Sequence, residues 1–228
     1  MMNAKSLVAS LFGILLILVL LLTSIDVFSF DRSYFASQSK SLDVAENIGV
    51  SEADLALSTD VLLDYLRDKR DDLDVMVTIS GQRQPMYNQR EIDHMVDVKV
   101  LYLNAMLFRN IAMILCGVIA AILFAIYQKK AFRYLARGVQ NASTIFAVIL
   151  VFLIGYALVD FNAFWTQFHH IFFRNDLWLL DPNTDNLILM VPLPFFFGLV
   201  IRIVLGFIAS LGLINLAAWF VQRSPQKS

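Results

Sequence analysis

Apolar residues gather in four long runs set apart by polar stretches. The runs occupy residues 1–28, 106–127, 143–165 and 193–221. A bilayer core about 30 Å thick needs roughly 20 apolar residues in a helix, so each run predicts one transmembrane helix. Residues 29–105 are polar and long enough for a small folded cap, and 128–142, 166–192 and 222–228 supply the other connections and the tail. The first run follows Lys5 and meets no A-x-A-like site, which predicts an uncleaved helix rather than a signal peptide.

Within 29–105 the periodicity changes twice. Ser51-Glu-Ala-Asp54 opens an amphipathic helical stretch with a capping-box-like start, and Leu55, Val61, Leu62, Tyr65 and Leu66 form its apolar stripe. DVMVTIS then alternates by two, meets Gly81 and continues through Gln84 to Tyr87, which predicts a short hairpin. REIDHMVDVKVLYLNAM returns to helical periodicity and is expected to run straight into the second span. There is no internal repeat.

Composition agrees with this reading. The 228 residues are 58% hydrophobic and only 16% charged, with a mean hydropathy of +0.66, too apolar for a soluble domain of this length or a disordered chain. A net charge of −1 gives no footprint for nucleic acid. The single cysteine, Cys116, excludes an intramolecular disulfide, and its apolar setting predicts a buried small hydrophobe rather than a nucleophile.

Charge placement sets orientation. Lys129, Lys130, Arg133 and Arg137 share the 128–142 loop with no acid, while 14 of the 19 acids fall in 29–105. The positive-inside rule then puts that loop and both termini in the cytoplasm. The expected fold is a mainly α membrane protein: four transmembrane helices, a small extracytoplasmic α+β cap, and cytoplasmic termini.

All three histidines fall on the predicted outer side. Glu91, His94 and Asp97 share a helix face, being three apart, and a carboxylate beside a histidine fixes its tautomer and raises its basicity. A solvated polar face explains the same spacing. His169 and His170 are adjacent, so in a helix they point about 100° apart and are badly placed to chelate together. A metal site from His94, His169 and nearby carboxylates rests on composition only and ranks below a metal-free pair; no cofactor is expected. Ten aromatics lie between Phe161 and Phe197, which suits an interfacial belt and equally an apolar pocket, with Phe168, Phe172, Phe173 and Trp178 nearest the histidines in sequence. Asp26, Arg109, Asp160 and Arg202 place one charge in each span. Intramembrane charges pair, snorkel or serve function; Asp160 with Arg202 is the expected pair, and snorkelling is the plain reading of Arg109.

Two segments, EIDHMVDVK and FHHIFFRNDLWLLDP, with four spans and an outer cap, resemble the bacterial lipoprotein intramolecular transacylase family over nearly the whole chain. The resemblance implies a multi-pass enzyme of the bacterial cytoplasmic membrane, active on its extracytoplasmic face. It implies transfer of the sn-2 acyl chain of a diacylglyceryl lipoprotein to the α-amino group of the N-terminal cysteine, giving an N-acyl lyso-form lipoprotein. Two histidines are catalytic in the family. By motif they are His94 and His169, the latter because it follows Phe168 and precedes x-x-Phe-Phe; His170 occupies an open position. Substrate lipoprotein and membrane lipid are the implied partners, no nucleic acid is, and a monomer suffices.

The chemistry fits. An α-ammonium must lose a proton before it attacks an ester, and histidine accepts protons near neutral pH. Expected roles are His94 as base, oriented by Glu91 or Asp97, and His169 as acid or oxyanion partner, with the reverse assignment open. Asp160 and Arg202 are expected in support. Attack within one molecule closes a medium ring, which a tight aromatic pocket would favour by proximity while excluding water. A non-enzymatic sensor with a ligand-binding cap and an outer-leaflet lipid hydrolase remain alternatives at this stage. A transporter is weaker, for want of a repeat or a continuous polar path.

Overall fold

The computed structural model describes residues 4–224. It is mainly helical: α1 (Ala4–Ser29), α2 (Arg32–Ser41), α3 (Val44–Ile48), α4 (Glu52–Leu66), α5 (Gln89–Tyr127), α6 (Ala131–Val159), α7 (Phe161–Phe172), α8 (Asn186–Met190) and α9 (Leu193–Arg223), with strands β1 (Met76–Ile79) and β2 (Gln82–Pro85). Three helical stretches are long and apolar enough to cross a membrane, Lys5–Ser29, Gln89–Val159 and Leu193–Arg223. The second is interrupted. A single 3-10 turn at Gln128–Lys130 separates α5 from α6, and Gln128 takes a left-handed φ of 49°.

The chain divides into two compact units, one of 1–28, 106–160 and 201–228, the other of 29–105 and 161–200. In the first, α1 packs on α5 through Leu15, Val19, Ala112 and Cys116, and on α6 and α9 through Ile17, Ala142, Phe207 and Leu211. Gly138 has no room for a side chain, since a Cβ there would lie 1.8 Å from the Ala9 carbonyl oxygen. Small residues permit such close helix approach between membrane segments. Val151, Phe152 and Val159 are exposed, an apolar exterior suited to lipid rather than water. Arg109 is paired rather than free to snorkel: its Nη1 donates to Asp26 Oδ2 at 2.8 Å.

The second unit is mixed α and β. Ser51 caps α4 by accepting from the Asp54 N–H at 3.0 Å, as its sequence predicts. Leu55, Val61, Leu62 and Tyr65 are buried as expected, with Leu63 added, while Leu66 is only half-buried. The hairpin forms too, with Met76 opposite Pro85 and Ile79 opposite Gln82. Its two turn residues, Ser80 and Gly81, have φ of 49° and 86°, as a tight hairpin turn requires.

Three sequence expectations change. The basic stretch 128–142 is mostly helix, because Ala131, Ala136, Val139 and Ala142 are spaced to bury one face of α6. The helix expected over 143–165 stops at Val159, where Asp160 turns extended (φ −151°, ψ 93°) and precedes the first turn of α7, a position favoured by short acceptor side chains. The connection 166–192 is no plain loop: it carries the end of α7 and all of α8, and 161–200 folds with 29–105 in one unit.

Candidate active site

The site lies within the mixed unit and starts at the N-terminus of α5. Asn88 and Glu91 form a reciprocal cap: the Asn88 N–H donates to Glu91 Oε2 at 2.6 Å, and the Glu91 N–H donates to Asn88 Oδ1 at 3.1 Å. This satisfies the backbone donors that a helix start leaves open. Glu91 is fully buried, and its Oε1 accepts the Leu187 N–H at the start of α8. Asn88 Nδ2 donates to Asp185 Oδ1 at 2.7 Å and to the Thr184 carbonyl at 3.1 Å. Burial pushes the Glu91 carboxyl above its ordinary value despite the N–H bonds it accepts. Burial would raise Asp185 as well, but donors from Asp181, Asn88 and Thr184 outweigh it and hold that carboxyl low. Together these groups clamp α5 to α8.

His94 follows one turn on and is also buried. Neither expected carboxylate orients its Nδ1, which is buried without a hydrogen-bond partner among the described residues. Glu91 is engaged in the clamp, and Asp97 accepts from Asn175 Nδ2 at 2.8 Å, so Asp97 acts on His94 only through its charge. Desolvation, with His169 and Arg90 adding and Asp97 opposing, lowers the His94 pKa to about 4. The ring is therefore neutral at pH 7.

His169 projects from α7 toward His94, with ring centroids 6.2 Å apart. Its Nδ1 lies 2.7 Å from the Trp165 carbonyl oxygen, one turn back. A carbonyl only accepts, so Nδ1 carries the hydrogen, and in the neutral ring Nε2 keeps the lone pair. Burial lowers the His169 pKa, against the Trp165 bond, which raises it. The structure separates the adjacent histidines: His169 is buried and His170 exposed.

An aromatic shell surrounds the pair. Trp178 stacks on His169 at 4.7 Å and 24°. Phe168 meets His169 edge-on at 5.5 Å, and Phe173 touches both histidines, at 5.4 Å from His94 and 5.7 Å from His169. Phe172 is exposed and packs on Phe168. Asp160 and Arg202 belong to the other unit, where the Arg202 guanidinium lies 5.5 Å from the Phe28 ring centroid. Sequence reasoning missed Asn88, Arg90, Trp165 and Asp185. Only Asn88 left a readable signal, the N-x-x-E spacing before a helical run.

The family model described as "Lipoprotein intramolecular transacylase Lit" matches residues 10–196. No curated protein matches the chain. Among solved structures, the membrane integral lipoprotein intramolecular transacylase Lit from Bacillus cereus shares the fold at a TM-score of 0.72 and 19% identity, covering 96% of this chain and 94% of that one. Two forms of it with a histidine substitution, one to arginine and one to alanine, each give 0.74 at 17% identity; coverage is 96% of this chain in both, and 92% and 94% of theirs. With the family model spanning most of its length, this integral membrane chain belongs to the lipoprotein intramolecular transacylase (Lit) family.

Proposed function

We propose that the protein moves the sn-2 acyl chain of a diacylglyceryl lipoprotein to the α-amino group of that lipoprotein's N-terminal cysteine, leaving an N-acyl lyso-form lipoprotein. The observation that carries this reading is a buried pairing of His94 with His169 inside an aromatic shell, in a chain of the transacylase family.

The membrane arrangement proposed with it has four spans, the Gln89–Val159 stretch supplying two because it breaks at Gln128. The basic residues at 129–137 and the acidic surplus in 29–105 favour cytoplasmic termini and an extracytoplasmic cap. The reaction then takes place on the outer face of the bacterial cytoplasmic membrane. Asp160 and Arg202 are kept as supporting charges of the spans.

His169 is the better base of the two. Its Trp165 hydrogen bond fixes the tautomer that leaves Nε2 free, whereas His94 Nδ1 has no such partner among the described residues. The substrate amine, with an unperturbed pKa of roughly 7.7–8.0, first sheds its extra proton. Its nitrogen then attacks the sn-2 ester carbonyl carbon while Nε2 takes a remaining N–H proton. An N–C bond forms, the carbonyl π pair moves onto oxygen, and collapse breaks the bond to the glyceryl oxygen. The imidazolium returns the proton to that oxygen, which leaves as a hydroxyl, and His169 ends as it began. His94, neutral and opposite, hydrogen-bonds the departing oxygen in the path of that return. The aromatic shell holds amine and ester together and keeps water from the ester.

Mass spectrometry of a diacylated lipopeptide incubated with the purified protein tests this reading. Unchanged mass with one acyl chain relocated to nitrogen is expected. Loss of one acyl mass identifies a hydrolase, and untouched substrate with folded protein returns the reading to a sensor.

A further inference from the structure

Trp178 carries a polar atom that the histidine mechanism leaves unused. Its Nε1 is buried and without a hydrogen-bond partner among the described residues, as is His94 Nδ1 in the same ring cluster. An indole N–H can only donate, and a buried donor with nothing to bond is rare and costly. The ring is held from several sides. It stacks on His169 and meets His170 edge-on at 5.1 Å. Arg90 Nη2 donates to the carbonyls of Asp176 at 2.5 Å and Leu179 at 3.1 Å, on either side of Trp178. Asn175 is tied to Asp97 just ahead. Both anchors stand on α5, the helix of His94, so the indole is strapped to the element that presents the opposite histidine.

We propose that Trp178 is a catalytic residue: its indole N–H donates a hydrogen bond to the oxygen of the sn-2 ester carbonyl as that oxygen becomes the oxyanion, and Arg90 is the positioning residue that holds it there. The inference rests on the transacylase reading. Trp178 exchanges no proton. As the amine nitrogen bonds to carbon, the carbonyl π pair moves onto oxygen and is stabilised by the indole donor. When the pair returns, the glyceryl oxygen departs with the proton from His169. A fixed donor in an apolar shell is worth more than one in water, because it needs no reorganisation when charge develops.

Trp178→Phe keeps a ring to stack on His169 and removes only the donor. With a diacylglyceryl lipopeptide as substrate, kcat is expected to fall about 100-fold while KM stays close to wild type. Benzothienylalanine at 178, which replaces N–H by sulfur in the same shape, should match that loss and guards against a misfolded phenylalanine variant. Arg90→Met should lower kcat less, and unlike direct donor loss it should be partly rescued by Arg90→Lys. A Trp178→Phe enzyme with near-normal kcat, or one impaired in KM alone, makes Trp178 a pocket wall and overturns the inference. A wild-type protein that converts nothing overturns the transacylase reading and this inference with it. An active wild type beside an unimpaired Trp178→Phe overturns this inference alone.

Discussion

Two buried polar clusters sit one helical turn apart on α5, and they are built on opposite terms. In the clamp of Asn88, Glu91 and Asp185, both Glu91 oxygens accept backbone N–H groups, and Asp185 accepts from Asn88, Thr184 and Asp181. In the cluster of His94, His169 and Trp178, His94 Nδ1 and Trp178 Nε1 have no hydrogen-bond partner among the described residues. Glu91, Asp185, His94 and His169 are all buried, so desolvation alone does not distinguish the clusters. Satisfaction does. A buried polar group that is fully bonded holds a fold together, whereas one left unbonded costs stability until a hydrogen-bonding group reaches it. On the function proposed above, the clamp is a structural device and the ring cluster is the site that receives the polar substrate.

The sharpest break of this contrast is expected at the histidines. His169→Ala and His94→Ala should each abolish acyl transfer while membrane insertion and thermal midpoint stay near wild type; an active alanine variant at either position removes that residue from the mechanism. Glu91→Ala should do the reverse. It strands the buried Leu187 N–H and the partly buried Asn88 N–H and should destabilise the fold by about 2–3 kcal/mol, read as a lowered thermal midpoint, while molecules that remain folded keep turning over. Asn88→Ala removes the helix cap and should cost about 1–2 kcal/mol in the same assay.

The acid limb of stability sharpens the contrast further. Folded His94 has a pKa of about 4, below its ordinary 6.5, so between those values the unfolded chain binds more protons than the native one. Stability from this group is present above pH 6.5 and is lost as pH falls toward 4. Glu91 has the opposite sign: its folded-state value is raised, so its contribution is present at low pH and is lost as pH rises through that value. Thermal melts of His94→Gln should therefore show a flatter decline between pH 6.5 and 4 than wild type. An unchanged slope would mean that the His94 pKa is the same in the folded and unfolded chain. His170→Ala is expected to have the smallest effect, with near-normal activity, because that ring is exposed; a loss like that of His169→Ala would reverse the choice between neighbours.

Much of the scaffold was legible because its signals are local. Apolar runs, the Ser51 cap and the Ser80–Gly81 turn each depend on a few consecutive residues. Glu91 shows where local reading misleads. Its spacing to His94 does put both on one helical face, but at the third position of a helix its carboxylate turns back to the Asn88 N–H instead. Its other partner, Leu187, is 96 residues away, as Asp26 is 83 from Arg109, and no periodicity encodes such meetings. The break at Asp160 was hidden for a different reason: apolar residues continue across it, so hydropathy saw one helix where the backbone makes two.

The most direct test is to count N-acylated lipopeptide formed per folded molecule by wild type, His169→Ala and Glu91→Ala, each well below its own melting temperature. Near-wild-type turnover by Glu91→Ala with none from His169→Ala is the predicted result. Turnover by His169→Ala, or its loss from folded Glu91→Ala, would contradict the division between a clamp that holds the fold and a ring cluster that performs the transfer.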